Sequence, residues 1–207
     1  MRPLTPNITF RQALACGRTL PFAHRGAGRV GPENTEAAFR GAVDLGFEIV
    51  ETDIQASRDG TPYIFHDKSL ARLTGDARKL EALSDHEIAA IRVKGDHAVP
   101  RLADMFEAFP DTLFNLDAKT WAVTRPLAEL ILKMNARPRV CIGSFSDARI
   151  RAVLDILGPQ TCHSVGTMNA VRFFVGGLGG INQTFTADCI QFPTHKFRVP
   201  LVTRRAV

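Results

Sequence analysis

The sequence contains few of the residues and patterns that mark several large classes of protein. Its 207 residues include one Trp and one Tyr, and its arginines are scattered, which is a poor set of side chains for stacking on bases. We therefore expect no nucleic-acid partner. The net charge is only +5, which favours anionic partners weakly.

Cysteines and long apolar runs are also scarce. Cys16, Cys141, Cys162 and Cys189 form no C-x-x-C pair, so we expect free thiols in a reducing compartment and a cytoplasmic protein rather than a zinc site or a disulfide framework. The stretch 170–181 is apolar but contains an arginine and four glycines. A membrane span needs roughly 20 apolar residues, so no transmembrane segment is predicted, and we expect no signal peptide at the N-terminus.

Short apolar runs alternate with helical patterns along most of the chain. Strands are predicted over 20–24, 47–55, 63–66, 113–119, 139–144, 161–165 and 187–192. The first connecting helix is expected to have Asn34 as its N-cap, with Ala38, Phe39, Ala42 and Val43 facing the core. Seven strands alternating with helices indicate an α/β fold with a parallel sheet.

The closed form of such a sheet is the TIM-type (β/α)₈ barrel, which typically has roughly 250 residues. We therefore expect a barrel that lacks the last strand and helix. Residues 1–19 are predicted to form an N-terminal arm. Residues 20–207 are predicted to form the incomplete barrel domain, with a small insertion at about 68–100.

Three carboxylates are predicted to meet at one edge of the sheet. Glu51 and Asp53 are two apart on one strand and therefore share a face, and Asp117 lies on another strand. For any one of these carboxylates alone, a solvated or salt-bridged side chain is the better interpretation. Together they favour a divalent metal, Mg²⁺ or Ca²⁺, which prefers oxygen ligands.

Two histidines and two cations are expected at the same edge. His24 and His66 each end a strand, and a pair of histidines can give and take protons near neutral pH. Arg25 and Lys119 add positive charge, either to hold phosphate oxygens or to pair with the carboxylates. A metal, two cations and two histidines together indicate a site that cleaves a phosphate ester.

The order and spacing of these motifs resemble the glycerophosphodiester phosphodiesterases. The motifs are H-R-G at 24–26, P-E-N-T-x-x-A-F at 32–39, E-T-D at 51–53, H-D at 66–67, N-L-D-A-K at 115–119, G-S-F-S at 143–146 and D-C-I-Q-F-P at 188–193. The resemblance covers the chain from about residue 20 onward. It implies a TIM-type barrel that hydrolyses glycerophosphodiesters, small molecules, to glycerol 3-phosphate and an alcohol with a divalent metal.

The resemblance also implies roles for individual residues. Glu51 and Asp53 match two metal ligands, and Asp117 stands where many members have Glu, with a side chain that is shorter by a methylene group. His24 and His66 match the catalytic histidines, with His24 assigned as the acid and His66 as the base. Arg25 and Lys119 match positions that contact phosphate.

Two other functions remain open at this stage. A lysophospholipase D type of phosphodiesterase would accept a lipid chain, and the apolar stretch 170–181 is the candidate surface for it. A shortened barrel could instead bind a metal or an anion without turnover. The sequence leaves the substrate's head group, the choice of metal and the oligomeric state undetermined.

Overall fold

The computed structural model describes residue 4 and residues 7–28, 31–178 and 185–191, together with the strand backbone at 195–196 and 199–200. The helices are α1 Phe10–Leu14, α2 Glu36–Asp44, α3 Ala71–Thr74, α4 Asp85–Ala89, α5 Leu102–Ala108, α6 Thr124–Lys133, α7 Asp147–Leu157 and α8 Thr167–Leu178, with short 3₁₀ turns at Leu80–Ala82 and Arg137–Arg139. The strands are β1 Phe22–His24, β2 Ile49–Ala56, β3 Pro62–Ile64, β4 Arg92–Val93, β5 His97–Ala98, β6 Leu113–Ala118, β7 Val140–Gly143, β8 Cys162–His163, β9 His195–Lys196 and β10 Val199–Pro200.

The central sheet has the strand order β1-β2-β6-β7-β8, and every neighbouring pair along this path is parallel. Helices connect these strands: α2 joins β1 to β2, α5 precedes β6, α6 precedes β7 and α7 precedes β8. This alternation confirms the predicted α/β fold of TIM-barrel type. Among the described residues no pairing closes the sheet between β8 and β1.

The sequence-based strand count needs correction. The predicted strand at 63–66 is β3, and it pairs antiparallel with β2 instead of joining the barrel. Only a tight turn around Gly60 separates the two strands, whereas a parallel partner requires a crossover of a dozen or more residues. The predicted strand at 187–192 is represented within the described residues by one parallel bridge between Ser164 and Cys189; residue 192 lies outside the described residues.

The start of α2 also differs from the prediction. Thr35, not Asn34, is the N-cap, and its hydroxyl accepts a hydrogen bond from the amide of Ala38. Asn34 has a φ of 59°, a left-handed conformation that asparagine tolerates, and its side chain points elsewhere. Ala38, Phe39 and Ala42 are buried as expected, but Val43 is exposed.

The main hydrophobic core lies between the sheet and its helices. Its aromatic centre is Phe114 on β6, which packs edge-to-face with Phe106 at a centroid distance of 5.1 Å and lies beside Phe39. The guanidinium of Arg139 covers both Phe106 and Phe114 and donates hydrogen bonds to the carbonyls that end α5. This core therefore fixes the strands whose ends carry the candidate functional residues.

Two smaller cores flank it. The segment predicted as an insertion at about 68–100 contributes Leu70, Leu80 and Ile88 to a second cluster, which it shares with Tyr63 on β3 and with Phe65. Helix α1 lies within the segment 1–19 and buries Phe10 and Ala13 at the amino ends of the strands.

None of the described helices is both long and apolar enough to cross a membrane.

Candidate active site

The parallel register brings the predicted site residues to one edge of the sheet. His24 at the end of β1 is the register partner of Glu51 on β2, and Asp53 on β2 is the partner of Asp117 on β6. His24 and Asp117 lie at or next to the carboxyl ends of β1 and β6, the edge where enzymes of TIM-barrel type place their active sites, and Glu51 and Asp53 lie level with them on β2, which continues into the hairpin with β3. Lys119 follows β6 directly, and its amide donates to the carbonyl of Ile54.

Asp53 is the most buried group of the site, with its side chain 1% exposed. It accepts a hydrogen bond from Asn34 Nδ2 at 2.9 Å, and its Oδ1 lies 2.7 Å from Lys119 Nζ. Arg25 Nε lies 3.1 Å from its Oδ2, an ion pair that falls outside hydrogen-bonding geometry. A buried carboxylate needs such partners, because an unpaired buried charge is costly.

Lys119 bridges the two aspartates. Its Nζ lies 2.6 Å from Asp117 Oδ2 as well as close to Asp53, and it also lies 5.5 Å from the ring centroid of Phe145. Burial by itself lowers the pKa of Lys119, but the charges of Asp117 and Asp53 outweigh burial and raise it above its usual value. The lysine is therefore charged. The second oxygen of Asp117, Oδ1, is buried and has no hydrogen-bond partner among the described residues.

Glu51 is held in an unfavourable environment for a charge. Burial, reinforced by the charge of Asp53, raises the pKa of Glu51 from 4.5 to about 7. Its Oε2 lies 3.6 Å from His24 Nε2. The His24 ring is 70% exposed, and partial burial together with the charge of Arg25 lowers the pKa of His24 below its usual value. The exposed His24 ring is therefore accessible to a substrate.

Arg25 turns the chain sharply after β1. Its φ is 54°, and its amide donates to the backbone carbonyl of Glu51 at 2.9 Å. The next residue, Gly26, has a φ of 75°, and a Cβ at that position would lie 2.8 Å from the backbone of Ala38. The H-R-G motif therefore needs its glycine, because α2 packs directly against this turn.

His66 enters the site from the hairpin rather than from a barrel strand. Its Nδ1 lies 2.7 Å from Asp67 Oδ1, and the ring is about one-third exposed. Gln55 Nε2 donates to the carbonyls of Phe65 and Asp67 at 2.9 and 2.8 Å and thereby anchors the loop on β2. The amide of Phe65 also donates to the carbonyl of Asp53. Both predicted histidines thus reach the same edge by different routes.

Sequence reasoning overlooked several residues that support the site. Asn34 was interpreted as a helix cap, yet it holds Asp53 and accepts a hydrogen bond from Thr52 at 2.8 Å. Glu33 binds Arg25 Nη1 at 2.9 Å, and hydrogen bonds, first from Arg72 and then from Arg25, lower the pKa of Glu33 to about 2. The P-E-N-T motif was the available signal, because it places two polar side chains before a helix that already has Thr35 as a cap.

The carboxylates supply the oxygen atoms that a hard divalent cation prefers, although their side chains also have protein partners. Asp117 Oδ1 is a buried oxygen without a partner, and Glu51 gains a charge only near neutral pH, so both would be stabilised by a cation. Asp53 and Asp117 share Lys119 in the structure. Within residues 7–28, 31–178 and 185–191, no group of three or more His, Cys, Asp or Glu side chains is spaced to hold a metal ion.

The fold and this edge together define an enzyme with acid–base and charged groups at the carboxyl ends of a parallel sheet. Comparison with known proteins gives the class. The model of the glycerophosphoryl diester phosphodiesterase family matches residues 24–164. The chain therefore belongs to this family, as its motifs indicated.

Individual relatives agree with the family match. A probable glycerophosphodiester phosphodiesterase 2 from Mycobacterium tuberculosis is 33% identical over 205 residues, which is 96% of this chain and 76% of the relative. A human lysophospholipase D is 31% identical over 129 residues, which is 55% of this chain and 41% of the relative. The crystal structure of a glycerophosphodiester phosphodiesterase from Agrobacterium tumefaciens is similar to 79% of this chain and 73% of its own, with a TM-score of 0.69 and 26% identity.

Proposed function

We propose that this chain hydrolyses glycerophosphodiesters to glycerol 3-phosphate and an alcohol in a metal-dependent reaction. The observation that carries this proposal is the grouping of His24, Arg25, Glu51, Asp53, Asp117 and Lys119 at the carboxyl edge of β1, β2 and β6. Family membership supports the same chemistry, since the M. tuberculosis relative is named for it.

The two histidines carry the proton transfers in this proposal. His66 has Nδ1 engaged by Asp67, which leaves Nε2 to take a proton from the attacking water. His24, in its protonated form, gives a proton to the leaving alkoxide from the exposed ring at the end of β1, and the neutral imidazole then takes up a proton from solvent.

Arg25 and Lys119 are the proposed phosphate contacts. Both bind Asp53 in the structure, as the salt-bridge interpretation of the sequence anticipated. Lys119 has three N–H groups, and its contacts with the two aspartates occupy two of them. One donor of a charged lysine therefore remains for a phosphate oxygen among the partners that the structure describes.

Glu51, Asp53 and Asp117 are the proposed ligands of the divalent metal, Mg²⁺ or Ca²⁺. Such an ion would polarise a phosphoryl oxygen and offset the charge that develops on the phosphate. The unpartnered oxygen of Asp117 and the raised pKa of Glu51 support this assignment. The four cysteines are free thiols, which supports the expected cytoplasmic location.

The test is hydrolysis of glycerophosphocholine with Mg²⁺, with Ca²⁺ and with a chelator. His24→Ala should lower kcat on the order of 10²–10⁴-fold, because it removes the proton donor. His86→Ala is the matched control, since His86 is an exposed histidine on α4. A folded chain that binds the metal but releases no glycerol 3-phosphate would favour the alternative of a barrel that only binds metal or anion.

A lipid-bearing substrate is a second candidate, because large apolar side chains are exposed beside the site. Phe145 lies under Lys119 and is 72% exposed, and Trp121 follows Lys119 closely and is 59% exposed. The relative named lysophospholipase D supports this candidate. Phe145→Ala should then impair hydrolysis of lysophosphatidylcholine more than that of glycerophosphocholine, while Leu45→Ala, an exposed leucine at the end of α2, should affect neither.

A further inference from the structure

Arg72 uses its whole guanidinium to join two carboxylates from different parts of the chain. It lies on α3, within the insertion, and its side chain is about half exposed. Nε lies 2.5 Å from Asp67 Oδ2, while Nη1 and Nη2 lie 2.9 and 2.6 Å from the two oxygens of Glu33. Planar, paired contacts of this kind fix orientation as well as distance.

Each of these carboxylates in turn holds a proposed functional residue. Asp67 presents its other oxygen to His66 Nδ1 at 2.7 Å. Glu33 accepts from Arg25 Nη1 at 2.9 Å, and Arg25 lies against Asp53. The contacts form one continuous series of alternating charge from Asp67 through Arg72 to Asp53, and His66 is attached to its first member.

We propose that Arg72 is a positioning residue that fixes the tautomer of His66 and the orientation of Arg25. An ionised carboxylate only accepts hydrogen bonds, so Asp67 selects the tautomer with the proton on Nδ1 and leaves Nε2 available to accept a proton. Arg72 prevents Asp67 from turning away and holds Glu33 in place for Arg25. The kinetic consequence rests on the proposed function, whereas the effect on the His66 tautomer does not.

The loss of Arg72 should have a small effect on folding and a large effect on the reaction rate. Ion pairs on partly exposed side chains contribute little to folding, so the loss of Arg72 should leave the urea midpoint of unfolding almost unchanged. A misplacement of a proton acceptor by about 1 Å can cost on the order of 10²-fold in rate. Arg72 should therefore affect kcat far more than folding, and kcat more than KM.

The experiment compares Arg72→Ala and Arg72→Lys with Arg78→Ala. Arg78 is the matched control, because it lies in the same insertion but pairs with Asp76 and Glu87, outside the site. Nitrogen–proton NMR correlations of the imidazole rings, assigned with His66→Gln, report the His66 tautomer without any substrate. Activity is measured on glycerophosphocholine, and urea unfolding checks that each variant is folded.

We expect the Nδ1–H signature of His66 in the wild-type chain and in Arg78→Ala. In Arg72→Ala this signature should disappear or be replaced by a mixture of the Nδ1–H and Nε2–H tautomers. Turnover by Arg72→Ala should fall about 10–100-fold. Arg72→Lys should recover only part, because a single ammonium cannot span both carboxylates. It also carries the comparison if the alanine variant does not fold.

An unchanged His66 signature in the Arg72 variants would overturn the proposal, whatever the turnover. If the wild-type chain shows no turnover but the signature depends on Arg72, the proposed function fails while the positioning role stands. If turnover is present and Arg72→Ala behaves like Arg78→Ala in both measurements, the proposed function stands and Arg72 has no positioning role.

Discussion

Replacing Glu51 with glutamine should remove a pH-dependent cost of folding from the metal-free protein. Burial and the charge of Asp53 raise the pKa of Glu51 from 4.5 to about 7 in the folded chain. Between these two values the folded chain holds a proton that the unfolded chain has lost. The free energy of unfolding therefore falls as the pH rises through this window.

The magnitude follows from the two pKa values of the Glu51 carboxyl. Because the pKa shifts from 4.5 to about 7, the Glu51 carboxyl contributes about 2.5 kcal/mol more to the free energy of unfolding at about pH 5 than at about pH 8. The Glu51→Gln variant keeps the shape of the side chain but cannot titrate. The difference in stability between variant and wild type should therefore grow by about that amount from the lower to the higher pH.

Urea denaturation in the presence of a chelator measures this difference. The wild-type chain, Glu51→Gln and Glu129→Gln are compared at both pH values; Glu129 is an exposed glutamate on α6 and serves as the control. Mg²⁺ or Ca²⁺ should reduce the pH dependence of the wild-type chain, because a cation favours the charged carboxylate. Stability differences that are the same at both pH values would refute the environment inferred for Glu51.

Two further substitutions test the core and the charge pairing. Phe114→Ala should lower the free energy of unfolding by about 3–5 kcal/mol, because Phe114 is fully buried at the centre of the main core. A loss below about 1 kcal/mol in urea denaturation would contradict that position. Lys119→Met should lower the free energy of unfolding by about 3 kcal/mol in the presence of a chelator, because it leaves the two aspartates that Lys119 bridges without their shared cation. Added Mg²⁺ should restore part of that stability. Equal stability of the variant and the wild-type chain would show that the bridge contributes nothing.

Local patterns were enough to predict the strand ends that carry the site. Glu51, Asp53 and Asp117 sit on apolar strands whose parallel pairing puts equivalent positions side by side, so their meeting followed from the fold class. The direction of β3 was missed because an apolar run has the same appearance in a hairpin and in a barrel strand. The short turn before it was the relevant signal.

The sequence pattern could not predict which side chains form hydrogen bonds and ion pairs with one another. Asparagine is a common N-cap residue, so the sequence pattern favoured that role for Asn34. Only its left-handed backbone and its hydrogen bond to Asp53 show that it holds the carboxylate instead. The bridge formed by Arg72 joins residues 33 and 67, which are distant in sequence and belong to different motifs. Such contacts depend on how α3 packs beside the turn after β1, which no periodicity encodes.

The separate cores of the sheet and the insertion have a consequence for how the protein responds to heat. His66, Asp67 and Arg72 belong to the segment packed around Phe65, Leu70 and Leu73, whereas His24 and the carboxylates are fixed by the sheet. Regions with independent cores can open at different free energies, which amide hydrogen exchange resolves. If this segment opens first, His66, the proposed base, is withdrawn while the sheet remains folded, and enzymatic inactivation precedes the global melt. Thermal tolerance of function would then be improved by substitutions inside the insertion core rather than in the barrel.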